Sequence, residues 1–310
     1  MHVYHIEAHS SISFLGTRPE RPGLEMLGDI PIRIRDGQNA AVLNVLQYGA
    51  RGRTRTGVAA VKGQCPRPLD DGCVFKINKF IMYNFNSHYL RFANQKLNWL
   101  SMDTEELYLK NLRNRYVDLK SNGWIDNHFT YDFNSLGFRC KEFTDEPTIM
   151  YLGCSNTIGI GLPVEHIWPE LLSKELNLKC ANLGIGAASL DTAFRLCLGY
   201  IDKINPKIVI LLVPPGIRYE FVTANKIENY GSWNIDNIFT KWSIDENNSY
   251  FNRKKNLLAI EMLCQSRNIK FVCRNSSELH DSPDISLARD LTHRGIQEHL
   301  YFSKKLISII

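Results

Sequence analysis

The sequence predicts an α/β protein, a three-layer α/β/α sandwich built around a mostly parallel sheet. Three observations predict it. From Thr148 onward, short apolar runs of strand length alternate with longer segments of helical periodicity, the pattern of βαβ units. The first of these runs, Thr148-Ile-Met-Tyr-Leu152, stops at Gly153 and gives way to a Gly-rich loop and a helix, the strand–turn–helix order such sheets require. Further on, Leu190, Phe194, Cys197, Ile201 and Ile204 form one helical stripe suited to packing on a sheet.

Residues 1–81 do not follow this pattern. They hold nine of the twenty glycines and five of the twelve prolines, with brief apolar runs and no sustained period, so little stable structure is expected. His2, His5 and His9 could share a helical face as metal ligands, but nothing caps or continues such a helix. Arg51, Arg53 and Arg55 could touch phosphate, although such charges are ordinary in a solvated segment. The run from Ala50 to Gly57 looks like a peptide translated from a structural-RNA gene, which makes Met82 the expected true start.

Residues 82–147 read as a lead-in packing on the main domain. The stretch Ser101-Met-Asp103-Thr-Glu105-Glu106 predicts a helix start, with Leu107, Leu109, Leu112, Tyr116 and Leu119 as its core face until Asn122-Gly123 ends it. Alternation over 129–133 predicts a strand, and Asn134 to Arg139 a turn. Arg139 is read either as a surface ion pair or as a residue at the mouth of a site.

Residues 148–310 form the main domain. Strand 148–152 leads to helix 166–176, with His166 in its first turn; strand 179–183 leads to helix 189–204. Strand 207–213 precedes a long irregular excursion over 214–252, which could act as a lid. Helix 254–267, strand 269–274, a loop through 289 and helix 294–307 complete the chain.

Composition limits the function classes. The net charge of +5 is concentrated at the start: residues 1–81 carry eleven Lys/Arg against seven Asp/Glu, so the rest is nearly neutral and argues against a nucleic-acid groove there. The eight cysteines include no C-x-x-C pair, which speaks against a metal or disulfide framework. No signal-like N-terminus and no run of 18 apolar residues is present, so a soluble, cytoplasmic protein without a membrane span is expected.

The chemistry converges on two places. Ser155 follows the first main-domain strand, where ligands bind in open α/β sheets. A turn or helix-cap serine is the ordinary reading of such a residue. A serine hydroxyl needs a base, and the base needs a third group to fix its tautomer. Asp290 and His293, three residues apart near the C-terminus, could fill both roles, although Asp290 could instead cap the last helix. His280 and His299 have no acidic neighbour at a useful spacing.

With Ser155 in its Gly153-Cys-Ser-Asn-Thr157 context, the Asn182-Leu-Gly184-Ile-Gly186-Ala-Ala-Ser189 block, and the Asp-x-x-His pair in this order, the chain resembles the SGNH (GDSL-type) hydrolases over residues 148 to 306. It lacks the second glycine of the α/β-hydrolase elbow. The resemblance implies a flavodoxin-like SGNH fold and a serine esterase or acyl hydrolase with Ser155, Asp290 and His293 as its triad. It also implies oxyanion donors at the backbone of Ser155, at Ala187 in the second block, and at an Asn of a third block. Here Ala187 stands where the family has glycine, which is tolerable only if positive φ is not needed. The third block, Pro214-Pro-Gly-Ile-Arg-Tyr-Glu220, has no Asn. Arg218 could serve in its place as an oxyanion or substrate contact, or be an ordinary loop charge with Glu220, and Asn156 is another candidate donor.

The resemblance implies a small-molecule or carbohydrate ester as substrate, O-acyl groups first, with no metal or organic cofactor. Two rivals remain: a non-catalytic binding or structural module of this fold, and an acyltransferase using the same three residues.

Overall fold

A computed structural model describes strands Ile30–Ile32 and Ala41–Leu43 and residues 91–222, 227–231, 233 and 245–310. The chain divides into two units, Met1–Cys73 and Val74–Ile310. In the first, β1 (Ile30–Ile32) pairs antiparallel with β2 (Ala41–Leu43). The readings placed on His2, His5, His9, Arg51, Arg53, Arg55 and Met82 lie outside the described residues.

The lead-in supplies β3 (Lys96–Leu97), α1 (Glu105–Asn114), α2 (Tyr116–Ser121) and β4 (Tyr131–Asp132), with β3 and β4 antiparallel. The single helix expected here is two. Thr104 caps α1 by accepting from the Leu107 N–H at 3.1 Å, and Arg115, at φ −137°, breaks the path before α2. The break ends the expected stripe, so Leu119 is buried while Leu109 and Tyr116 are exposed.

The second unit then builds β5 (Thr148–Leu152), the one-turn helix α3 (Ser155–Ile158), α4 (Trp168–Glu175), β6 (Lys179–Asn182), α5 (Leu190–Ile204) and β7 (Ile208–Val213). After them come β8 (Tyr219–Val222), β9 (Ile227–Tyr230), α6 (Glu246–Gln265), β10 (Lys270–Asn275) and α7 (Ile296–Ile307). The main sheet runs β10-β7-β5-β6, and every pairing in it is parallel. The expected α/β class and layering are therefore present.

Side chains of β5 alternate between two cores, as a pleated strand must. Met150 and Leu152 join Leu196, Cys197 and Ile201 of α5 and Ile260 of α6 on one face. Ile149 and Tyr151 join Trp168 and Leu172 of α4 and Phe302 and Leu306 of α7 on the other. On that second face Trp168 stands edge-on to both Tyr151 and Phe302, at 5.1 and 5.3 Å between ring centroids. Helix α5 buries Leu190, Cys197, Ile201 and Ile204 of the predicted stripe, with Phe194 partly buried beside them, and is opened by a reciprocal Ser189–Thr192 capping box.

The segment read as an irregular excursion holds structure. Strands β8 and β9 pair as a hairpin, fastened to α5 by a buried Arg195–Glu220 ion pair at 2.6 Å, so Glu220 is not a loop charge. Helix α6 begins at Glu246, eight residues before the position expected. Its first turns, Glu246-Asn-Asn-Ser, lack an apolar period; the start is fixed by Asp245, which accepts from the N–H groups of Asn247 and Asn248. Among the described residues no helix is long and apolar enough to cross a membrane.

Candidate active site

The site begins at the carboxyl end of β5, the strand flanked by β6 and β7. A side chain at Gly153 would place its Cβ 2.1 Å from Thr157 Oγ1 and 3.0 Å from Leu212 O, so only glycine lets the chain turn here. The turn puts Ser155, half-buried, at the first position of α3. The N–H groups of Ser155 and Asn156, the free donors of a helix start, meet no acceptor among the described residues. Asn156 Oδ1 is buried and likewise without a partner.

The second block closes over this turn. Asn182 Nδ2 donates to Thr157 O at 2.8 Å while its Oδ1 accepts from the Gly184 N–H at 2.9 Å. A Cβ on Gly184 would fall 2.6 Å from Ile158 N, so the two backbones touch directly. Ala187 adopts φ +61°, the left-handed region in which alanine is strained by about 1 kcal/mol or more. The position therefore does require the conformation that glycine supplies, and alanine holds it at a cost. No acceptor takes the Ala187 N–H among the described residues.

The third element is the loop before α7. Asp290 Oδ2 lies 2.5 Å from His293 Nδ1, and Asp290 Oδ1 accepts from the backbone N–H groups of Thr292 and His293 at 3.1 and 3.0 Å. Burial pushes the Asp290 carboxyl upward, but the hydrogen bond and charge of His293 together with those two N–H donors outweigh it and hold the group below its ordinary value. The carboxylate is fully buried and the imidazole 15% exposed, so the ring keeps one open edge. Asp290 does not cap a helix: Gly295 occupies the N-cap of α7, five residues later.

The serine loop and the histidine loop meet. The Arg289 N–H donates to Gly161 O at 2.9 Å, joining the residue before Asp290 to the segment after α3. No hydrogen bond joins the Ser155 hydroxyl to the His293 ring among the described residues. Such contacts are often long in unliganded sites. The Arg218 guanidinium lies 5.5 Å from the Trp233 ring centroid, and its buried Nη1 has no partner among the described residues. It makes no described hydrogen bond to Ser155, Asp290 or His293. No group of three or more His, Cys, Asp or Glu able to hold a metal occurs among the described residues.

Several residues that organise the site escape a reading of the sequence. Arg139 is neither a surface ion pair nor part of a mouth. It is buried against the Tyr131 ring at 4.3 Å and donates to Ile158 O, Gly159 O and Leu162 O at 3.0, 2.6 and 2.7 Å, bracing the turn that follows Ser155. Burial lowers its pKa to about 10, which leaves it charged at neutral pH.

A second brace links both loops. Asp103 and Arg289 form a buried ion pair at 2.6 Å; the Tyr131 hydroxyl donates to Asp103 at 2.5 Å and accepts from the Gly161 N–H at 2.7 Å. The lead-in also holds the histidine loop through Asn111 Nδ2 to Asp290 O and Trp124 Nε1 to Leu287 O.

The other histidines take structural places. His166 lies in a 3₁₀ turn before α4, not in the helix. His299 is buried and accepts the Trp168 N–H on Nδ1 at 3.1 Å; burial lowers its pKa to about 3.

No family model matches the chain, and no curated protein does. Solved structures do. A G-D-S-L family lipolytic protein from Desulfitobacterium hafniense DCB-2 is 12% identical at a TM-score of 0.31, over 53% of this chain and 99% of that one. The psychrotrophic esterase EstA from Pseudoalteromonas sp. is 15% identical at 0.32, over 53% and 99%. A catalytic mutant of the acetylxylan esterase Axe2 from Geobacillus stearothermophilus is 13% identical at 0.30, over 54% and 94%. At such identities and scores the likeness carries no argument about activity; the fold stands on the strand order above, and the chemistry on the residues of this chain.

Proposed function

We propose that the chain is a serine esterase or acyl hydrolase of the SGNH type, acting on an ester of a small molecule or an acylated carbohydrate. The observation that carries this reading is the buried Asp290 carboxylate gripping His293 Nδ1 at 2.5 Å, on a loop bonded to the one that follows Ser155. A carboxylate on Nδ1 fixes the tautomer that leaves Nε2 free to take a proton.

In this mechanism Ser155 Oγ attacks the ester carbonyl carbon as His293 Nε2 removes its proton. The electron pair of the carbonyl moves to oxygen, and that oxyanion is met by the N–H groups of Ser155, Asn156 and Ala187, none of which has another acceptor among the described residues. Collapse expels the alcohol, which takes the proton from His293, and leaves an acyl group on Ser155. Water, deprotonated by His293, then attacks the acyl carbon and releases the acid with Ser155 restored. Asp290 orients the ring throughout and stabilises its protonated form. Arg218, beside the Trp233 ring, is assigned no step.

The missing third-block Asn favours a slower catalyst, or a non-catalytic module of the same fold; transfer of the acyl group to a sugar instead of water would use the same residues. The test is hydrolysis of p-nitrophenyl acetate by the full chain and its Ser155→Ala variant. Loss of turnover in the variant is expected, and equal turnover in both would refute the assignment.

A further inference from the structure

Beside α3 lies a cavity of about 180 Å³ whose walls include Leu100, Phe133, Ile158, Ile160, Ile185 and Gly186. Its position relative to the proposed chemistry is specific. Ile158 sits three residues after Ser155 on α3, on the same face of the turn. Gly186 directly precedes Ala187, whose N–H is a proposed oxyanion donor. The cavity is thus walled by the residue three after Ser155 and by the one before Ala187, although neither Ser155 nor Ala187 itself lines it.

The walls are mainly aliphatic and aromatic, with Ser101 and Arg91 as their polar members, the Arg91 guanidinium laid 4.6 Å above the Phe92 ring. At about 30 Å³ per water-sized group the space holds roughly six such groups. A larger cavity of about 630 Å³ includes neither Ile158 nor any second-block residue, and is walled by Asp132, Glu142, Glu165 and Glu170.

We propose that the cavity between Ile158 and Gly186 is the acyl pocket of the esterase, and that it takes an uncharged, unbranched acyl chain of about four to six carbons in preference to acetyl. This rests on the esterase reading for its chemistry but not for the pocket's existence. About half of the lining residues belong to the lead-in, Leu100 and Phe133 among them, so that segment shapes the pocket as well as bracing the site.

Two measurements test it separately from the esterase reading. The first is kcat/KM on p-nitrophenyl acetate and hexanoate, where the hexanoate ester is expected to lead by about tenfold or more. In Gly186→Val a Cβ would sit 3.4 Å from Ile160 Cδ1 and 3.5 Å from Ser101 Oγ, so the added methyls fill the cavity without a backbone clash. The hexanoate-to-acetate ratio should fall about tenfold in that variant, while Ile160→Ala should move the optimum to longer chains. The second is saturation-transfer NMR with sodium hexanoate, which needs no turnover. Binding is expected in the parent and in Ser155→Ala and should be lost in Gly186→Val. Absent parent binding, or equal binding in parent and Gly186→Val, overturns the pocket even if esters are cleaved; binding without turnover overturns the esterase reading and leaves the pocket standing.

Discussion

Replacing Asp103 with leucine should cost substantial stability, because it strands a buried cation. The Arg289 guanidinium contacts Asp103 through Nη2 at 2.6 Å and Nε at 3.1 Å, with the two side chains 3% and 1% exposed. Without the carboxylate it keeps Asn98 O at 2.7 Å and the faces of Trp99 and Phe129, at 4.2 and 4.0 Å. Breaking a buried pair by removing one partner costs about 3–5 kcal/mol, and the Asn98 O and aromatic contacts that Arg289 keeps place this case at the lower end. A net loss of roughly 3 kcal/mol is a large share of the roughly 5–15 that holds a domain together, and lowers Tm by about 10 °C. Replacing both partners, Asp103→Leu with Arg289→Met, removes the stranded charge and should recover part of the loss, the Tyr131 hydroxyl still lacking its acceptor. Thermal and urea melts of the three proteins check this. A single variant melting within about 2 °C of the parent, or a double variant less stable than the single, would refute the reasoning.

Three further outcomes are expected. Ala187→Gly should raise stability by about 1 kcal/mol, since it relieves the left-handed alanine at φ +61°, and Ala187→Val should lower it; denaturant midpoints read both. Arg139→Met removes the donor from three carbonyls of the turn after Ser155 and should cost about 3 kcal/mol, with limited proteolysis opening between residues 155 and 163; Arg139→Lys should fail to rescue, because one ammonium cannot span the three acceptors. His299 is held neutral by burial, its pKa lowered from 6.5 to about 3. Its stabilising contribution is complete above pH 6.5 and falls by about 1.4 kcal/mol per unit as pH drops towards the folded value, because only the unfolded chain takes up the proton. The difference in unfolding free energy between the parent and His299→Gln should shrink across that range.

The main sheet was legible because its strands and helices obey their two periods: the stripe Leu190, Cys197, Ile201 and Ile204 lies in the core as its spacing requires. The hairpin within 214–252 was not, since its anchor is a polar network of Arg195, Glu220 and Thr192 that no hydrophobic pattern reports. The contact between Asp290 and His293 follows from their separation by one turn, which a sequence displays. Arg139, Asp103 and Tyr131 brace the same region from positions 20 to 186 residues away, and a buried charge looks no different in a sequence from an exposed one. Ala187 was recognisable as a departure, but only its φ settles that the departure is strained.

The central claim is that Ser155 is an activated nucleophile served by His293. A fluorophosphonate reacts covalently and preferentially with such a serine, so incubating the full chain with the probe and mapping the adduct by peptide mass spectrometry addresses it directly. Modification is expected at Ser155, abolished in Ser155→Ala and slowed at least about a hundredfold in His293→Ala. A folded protein that stays unlabelled, or one labelled equally fast without His293, would contradict it.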